Sequence, residues 1–385
     1  MTRIIACLAT LALLAPAAAA QERPTPETAP SGVLFWAPAD RERAFRTMDT
    51  IMPHALVARG DGPLRALPQG RPLDLDPAAY MEDQRVAGVL VIQDGEIRLE
   101  RYGLGIGPDT RWVSFSMTKS LTSTLVGTAL KSGAIRSLED PVTRYLPALA
   151  GGGYDGVTVR QLMTMTSGVA WNEDYSDPTS DVARFLQEPV VDGQDPVVTY
   201  MARLPRAHPP GERWNYSTGE TNLVGALVAA AEGRPLATLL GERIWSRAGM
   251  EADAVWALDQ GGREIGGCCV SATLRDWGRI GLMAQDGGVL SGERIVPDDW
   301  FAQATTKEAD IGTPGEGYGF QWWTQDDGVF RASGIFGQTI RVDPERKLVI
   351  VILSAWPNAI GASHSAARRA FIAQVVAAVD AAPQD

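Results

Sequence analysis

Apolar and polar positions follow two different periods along this chain. Residues 86–93 (VAGVLVIQ) form an apolar run, Asp94-Gly95 follows, and EIRLERYG (96–103) then alternates with period two. Asp-Gly between two such runs predicts a tight hairpin, because the favoured two-residue turn needs positive φ at both central residues. A second hairpin is predicted near the C-terminus, with RASGIFGQTIRVD (331–343) and KLVIVILSAW (347–356) flanking a turn at Pro344-Glu345.

From about 117 to 290 the period changes. LTSTLVGTALKSG, VRQLMTMTSG, NLVGALVAAAEG and ATLLGERIWSRAG carry apolar residues at helical spacing between Gly- and Pro-containing loops. HSAARRAFIAQVVAAVDA (364–381) predicts a closing helix. Strand-rich ends around a helix-rich middle predict an α/β (α+β) fold. One antiparallel sheet is built from both ends, with a helical region inserted. The mixed α/β part is placed at 75–125 and 285–385, and the helical part at 126–284. Residues 21–74 read as an N-terminal extension, flexible over 21–32, where Pro, Glu, Thr and Ser dominate.

The first twenty residues follow another pattern. Arg3, an apolar run from Ile4 to Leu14 and Ala18-Ala19-Ala20 predict a Sec-type signal peptide cleaved near Ala20/Gln21, hence a periplasmic or secreted protein. The run falls short of the ~20 residues a spanning helix needs, and no later segment qualifies.

Composition narrows the partners. The 385 residues are 45% hydrophobic, enough for a large core, and the formal net charge is -11 without a Lys/Arg run. Nucleic acid is therefore not an expected partner. His54, His208 and His364 are scattered, so neither a metal nor a cofactor is expected. Cys268 and Cys269 are neighbours, and a ring closed by adjacent cysteines is strained, so they read as small buried residues. Nothing in the sequence fixes the oligomeric state.

The candidate chemistry begins with Ser116-Met117-Thr118-Lys119, at the start of an apolar helix. Residues i and i+3 share a helix face, so the amine can reach the hydroxyl. Lysine occurs only at 119, 131, 307 and 347, and 119 alone has a serine three before it. Apolar neighbours lower the proton affinity of a lysine and make it a base, a role arginine cannot take. Tyr216 sits at a loop-to-helix junction in NYSTGETN (215–222), where a nearby ammonium would lower its pKa and make it a proton shuttle. In Ala332-Ser333-Gly334-Ile335 the glycine allows close approach of another backbone, and an N–H there can pair with that of Ser116 around an oxyanion.

These motifs, in this order, resemble the serine β-lactamase and penicillin-binding superfamily, particularly class C β-lactamases and family VIII carboxylesterases. DPVTRYLPAL (140–149), VTVRQLMTMTSGV (157–169) and PGERWNYSTGETNLVG (210–225) add to the likeness, which covers about 75–380. Within it, SMTKSLTSTLVG, TSGVAWNEDYSDPTSD and ASGIFGQ are most similar to the 6-aminohexanoate-dimer hydrolases. The resemblance implies a β-lactamase/transpeptidase-like fold and a serine hydrolase cleaving esters or amides through an acyl-enzyme on Ser116. It implies Lys119 as partner base, Tyr216 as shuttle, the N–H groups of Ser116 and Ile335 as oxyanion hole, and Tyr175 as a contact to a small amide or ester substrate. Gly334 belongs to the same substrate-binding strand.

Two departures restrict the substrate. The superfamily's Tyr-x-Asn reads Tyr216-Ser217-Thr218, and its Lys-Thr-Gly reads Ala332-Ser333-Gly334. Losing the charged partner of a β-lactam carboxylate costs about 1.5–3 kcal/mol of recognition, so strong β-lactamase activity is not expected. Among the eleven tryptophans, Trp171 and Trp322 are the candidates to line an apolar cleft. A D-amino-acid-specific peptidase, a weak β-lactamase and a catalytically silent penicillin-binding-type sensor stay open as alternatives.

Overall fold

The structure is a computed structural model and describes residues 30–382; the expected signal peptide lies outside the described residues. Asp94 and Gly95 take φ of 51° and 81°. The chain thus reverses within two residues, and β1 (Val86–Gln93) pairs antiparallel with β2 (Glu96–Tyr102). Five further strands come from the C-terminal part: β3 (Glu316–Tyr318), β4 (Trp323–Gln325), β5 (Phe330–Gly334), β6 (Gln338–Asp343) and β7 (Leu348–Ser354). They join in the order β2-β1-β7-β6-β5-β4-β3, and every pairing is antiparallel. β7 lies between β1 and β6 and is wholly buried, which explains its unbroken apolar run LVIVILS.

Four long helices are α1 (Thr118–Ser132), α2 (Thr218–Glu232), α3 (Leu274–Gln285) and α4 (Ala362–Ala381). The period-two alternation of β1 divides between two of them. Val89 and Val91 share a buried cluster with Phe371, Val375 and Val379 of α4, whereas Leu90 and Ile92 cluster with Leu274 and Ile280 of α3. Each such side chain contributes about 1.5–3 kcal/mol by leaving water.

The second predicted hairpin forms, with β6 and β7 paired antiparallel across the turn at Pro344-Glu345, but its first arm differs. RASGIFGQTIRVD does not run as one strand. It reverses at Ile335–Gly337, where Phe336 takes φ 59° and Gly337 φ 96°, and β5 folds back onto β6 with Gly334 opposite Gln338. Alternation cannot reveal such a reversal, because apolar positions continue on both sides of it.

The range expected to be helical, 126–284, is also less uniform than its periodicity. It contains strands Ala254–Ala257 and Val270–Ala272, which join His54–Val57 and Trp112–Val113 in a four-stranded sheet. It contains α3 too, whose amphipathic face packs on β1, β6 and β7 of the seven-stranded sheet.

Candidate active site

Trp112–Val113 runs directly into the turn Phe115–Met117, and α1 follows. Phe115 has φ 46°, a left-handed conformation that a bulky side chain rarely takes. Strain of this kind costs on the order of 1–3 kcal/mol and persists only where packing holds it. Here the Phe115 ring is held by Phe45 at 4.9 Å and Phe336 at 5.2 Å between centroids. Phe336 is the other left-handed phenylalanine of this wall, so two constrained residues precede and follow the pair Ser116 and Ile335.

Hydroxyls dock α1 against its surroundings. Ser120 Oγ donates to the carbonyl of Gln321 (2.8 Å), Ser123 Oγ to that of Phe320 (2.7 Å) and Thr122 Oγ1 to that of Gly266 (2.6 Å). The Ser/Thr-rich text of this helix is thus buried and satisfied, and it holds the first turn in place.

In that turn Lys119 Nζ lies 3.0 Å from Ser116 Oγ, 3.0 Å from Thr218 Oγ1 and 2.8 Å from the carbonyl of Gly267. Lys119 is 1% exposed and Ser116 9%. Burial brings the ammonium pKa down to about 8, against an opposing pull from the charge of Glu173. Thr218, at the position where the superfamily carries asparagine, therefore still supplies the lysine with a hydrogen-bond partner.

Tyr216 presents its ring to Lys119, with Nζ 5.2 Å from the centroid. Its phenol is not pushed down, as the sequence suggested, but well up. Burial is the largest cause and the Glu173 charge the second; a hydrogen bond with Ser116 pulls weakly the other way. Desolvation of the phenolate, reinforced by the Glu173 charge, outweighs that hydrogen bond.

Gly334 stands immediately behind the nucleophile. A Cβ built on it would lie 2.4 Å from the Ser114 carbonyl and 3.1 Å from the Ser116 nitrogen. The absence of a side chain thus lets β5 approach the serine turn and brings Ile335 to the cleft. Ser116, Ile335, Tyr175, Thr218 and Cys268 line that cleft, and Val33, Phe185 and Leu186 close it with apolar surface.

The two tryptophans expected at the cleft lie elsewhere. Trp322 is fully buried and packs edge-on to Phe330 at 5.3 Å, so it is a core residue. Its neighbour Trp323, one step along the strand and hence on the opposite face, stacks on Tyr216 at 5.6 Å and 22°. Trp171 is 8% exposed and packs against Phe185; its Nε1 donates to Glu173. It supports the site from behind. Cys268 and Cys269 are joined as a vicinal disulfide, contrary to the separate buried residues expected from adjacency. The folded chain imposes on this segment a left-handed Cys269 (φ 77°), which sequence spacing cannot show.

The sequence reading missed Glu173. Its carboxylate accepts hydrogen bonds from Tyr175 Oη (2.7 Å), the Thr218 N–H (2.9 Å), Thr218 Oγ1 and Trp171 Nε1. The Tyr175 phenol is raised well above its ordinary range, by burial first and by Glu173 next. An acidic residue two before Tyr175 gave no signal of its own. Among the described residues, no group of three or more His, Cys, Asp and Glu could hold a metal ion, and no single helix is long and apolar enough to cross a membrane.

Comparisons with known proteins show what this chain is similar to. The family model described as Beta-lactamase matches residues 78–374. The 6-aminohexanoate-dimer hydrolase of Paenarthrobacter ureafaciens is 33% identical over 347 residues, covering 84% of this chain and 88% of that protein. Esterase EstB of Burkholderia gladioli is 29% identical over 189 residues, 44% of this chain and 47% of the esterase. Among solved structures, a candidate 6-aminohexanoate-dimer hydrolase from Bacillus anthracis superposes with a TM-score of 0.78 at 23% identity, over 89% of this chain and 95% of that one.

Proposed function

The chain belongs to the beta-lactamase family and is a serine hydrolase acting on amides or esters, and from that premise we propose that Ser116 is its nucleophile. Neutral Lys119 takes the Ser116 proton as Oγ attacks the substrate carbonyl. The N–H groups of Ser116 and Ile335 hold the oxyanion, where fixed donors stabilise charge that develops in the transition state. The C–O or C–N bond then breaks. Tyr216, kept as a neutral phenol by its raised pKa, gives its proton to the leaving alkoxide or amine and is reprotonated from the Lys119 ammonium. Water attacks the acyl carbonyl and gives one proton to the same pair; the acyl–Oγ bond then breaks, the pair returns that proton to Ser116 Oγ, and the carboxylic acid is released.

The 3.0 Å contact between buried Lys119 Nζ and Ser116 Oγ carries this reading. Tyr175 and the apolar wall of Val33, Phe185 and Leu186 suit a small ester or amide, of which a linear 6-aminohexanoate dimer is the amide suggested by the hydrolase relative. Ala332 offers no charge to a β-lactam carboxylate. Residues 1–20 direct the protein to the periplasm or the medium.

The test is hydrolysis of p-nitrophenyl acetate, p-nitrophenyl butyrate, 6-aminohexanoate linear dimer and nitrocefin by the mature protein and by Ser116→Ala. Turnover of at least one ester or the dimer, lost in the variant, and an acylated peptide containing Ser116 are expected. Undiminished turnover in Ser116→Ala would overturn the reading. N-terminal sequencing of exported protein should start near Gln21.

A further inference from the structure

Glu173 touches none of the reacting atoms, yet it decides where the hydrogens of this site point. Its Oε1 accepts from the hydroxyls of both Tyr175 and Thr218, and its Oε2 from the Thr218 N–H and Trp171 Nε1. A carboxylate can only accept, so the single hydrogen of each hydroxyl is committed to it. Thr218 Oγ1 is then left with lone pairs alone towards Lys119 Nζ, 3.0 Å away. The Gly267 carbonyl, at 2.8 Å, can likewise only accept. A neutral amine has two N–H bonds and one lone pair. With both hydrogens directed at Thr218 and Gly267, the lone pair faces the third neighbour, Ser116 Oγ.

We propose that Glu173 is a positioning residue that, by fixing the direction of the Thr218 hydroxyl, holds the lone pair of Lys119 on Ser116. The proposal rests on Ser116 and Lys119 being nucleophile and base as argued above. It makes a specific statement about Glu173→Gln. Two of the four donors, the Thr218 N–H and Trp171 Nε1–H, cannot reverse, so the amide oxygen must take the Oε2 place. The amide N–H₂ then faces Thr218 Oγ1 and Tyr175 Oη and donates to both. Each hydroxyl hydrogen is released, and that of Thr218 turns to the Lys119 lone pair in competition with Ser116. The titratable groups around Lys119 are Tyr216 beside it and Glu173 behind Thr218, with Tyr175 held on Glu173. Removing the Glu173 charge also withdraws the group that opposes the burial effect on Lys119.

The experiment reads Ser116 directly, through its rate of labelling by a fluorophosphonate, beside turnover of p-nitrophenyl butyrate. Glu173→Gln should label about 10²-fold more slowly at pH 8, the range of a lost general-base step, and its acid limb should move to lower pH. Adding Thr218→Val removes the hydroxyl that occupies the lone pair, so the double variant should label no more slowly than Glu173→Gln. Losses from two merely structural defects would multiply. Wild-type labelling rate in Glu173→Gln, an unmoved acid limb, or multiplied losses would overturn the role of Glu173. If Glu173→Gln does not fold, Thr218→Val alone should slow labelling about tenfold, and an unchanged rate overturns the relay. Labelled Ser116 without turnover of any ester or amide would instead count against the proposed substrates, and a wild-type Ser116 that resists the reagent would overturn both.

Discussion

Trp323 lies against Tyr216 with ring centroids 5.6 Å apart and planes inclined by 22°, while Trp322, the residue just before it, points into the core and meets Phe330. Adjacent residues of a strand face opposite ways, so the two tryptophans are expected to fail differently. Trp322→Ala should cost about 3–5 kcal/mol of stability and lower the yield of folded enzyme without a specific change in KM. Trp323→Ala should stay closer to wild-type stability yet lower kcat/KM by loosening Tyr216. Denaturant titration beside ester kinetics separates the two outcomes; equal stability losses would show that Trp323 is core as well.

Lys119 titrates near 8 because burial disfavours its ammonium form. The neutral amine is the form that accepts the Ser116 proton. Hence kcat/KM should rise about tenfold per pH unit below that value and level off above it. Lys119→Arg remains protonated at every accessible pH and should lose at least about 10²-fold at pH 8. A flat profile between pH 6 and 9 would contradict this assignment of the base.

Gly334 leaves no room for a side chain, since a Cβ would stand 2.4 Å from the Ser114 carbonyl. Gly334→Ala should push β5 away from the serine turn and lower kcat by an order of magnitude or more, with a smaller effect on KM. The change is read best with a substrate whose acylation is rate-limiting. Full activity in Gly334→Ala would mean that the oxyanion donors are not positioned by this contact.

Glu220 is a buried carboxyl on α2 that accepts a hydrogen bond from Ser167 and whose Oε2 has no hydrogen-bond partner among the described residues. Burial raises its pKa to about 8, against about 4.3 in an unfolded chain. A raised folded pKa means tighter proton binding in the native state. The stability it contributes is therefore present at pH 4 and lost as pH rises towards and through 8. Thermal midpoints should fall over pH 5–9 for the wild type and fall less for Glu220→Gln, which keeps the acceptor for Ser167. Parallel midpoint curves for the two proteins would refute this.

Much of this protein is legible in one dimension. The β1–β2 hairpin follows from an Asp-Gly turn between two apolar runs, and α4 from its amphipathic repeat, because both depend on residues close in sequence. Ser116 and Lys119 belong together for the same reason: three residues along a helix is a distance set by the backbone. The order of the Ser-x-x-Lys, Tyr216 and Ser333-Gly334 motifs was sufficient for the family and the class of reaction.

The rest required the fold. The reversal at Phe336 that carries Ile335 to Ser116 is invisible to a period-two pattern continuing on both of its sides. The choice of Trp323 over Trp322 depends on which face of β4 meets the helices. Tyr216 resists ionisation because burial and the charge of Glu173 outweigh its hydrogen bond with Ser116, and burial is a property of the packed molecule. Glu173 itself reaches Thr218 across 45 residues. Local sequence fixes neighbours on one element, whereas hydrogen-bond direction and desolvation are set by groups that only tertiary packing brings together.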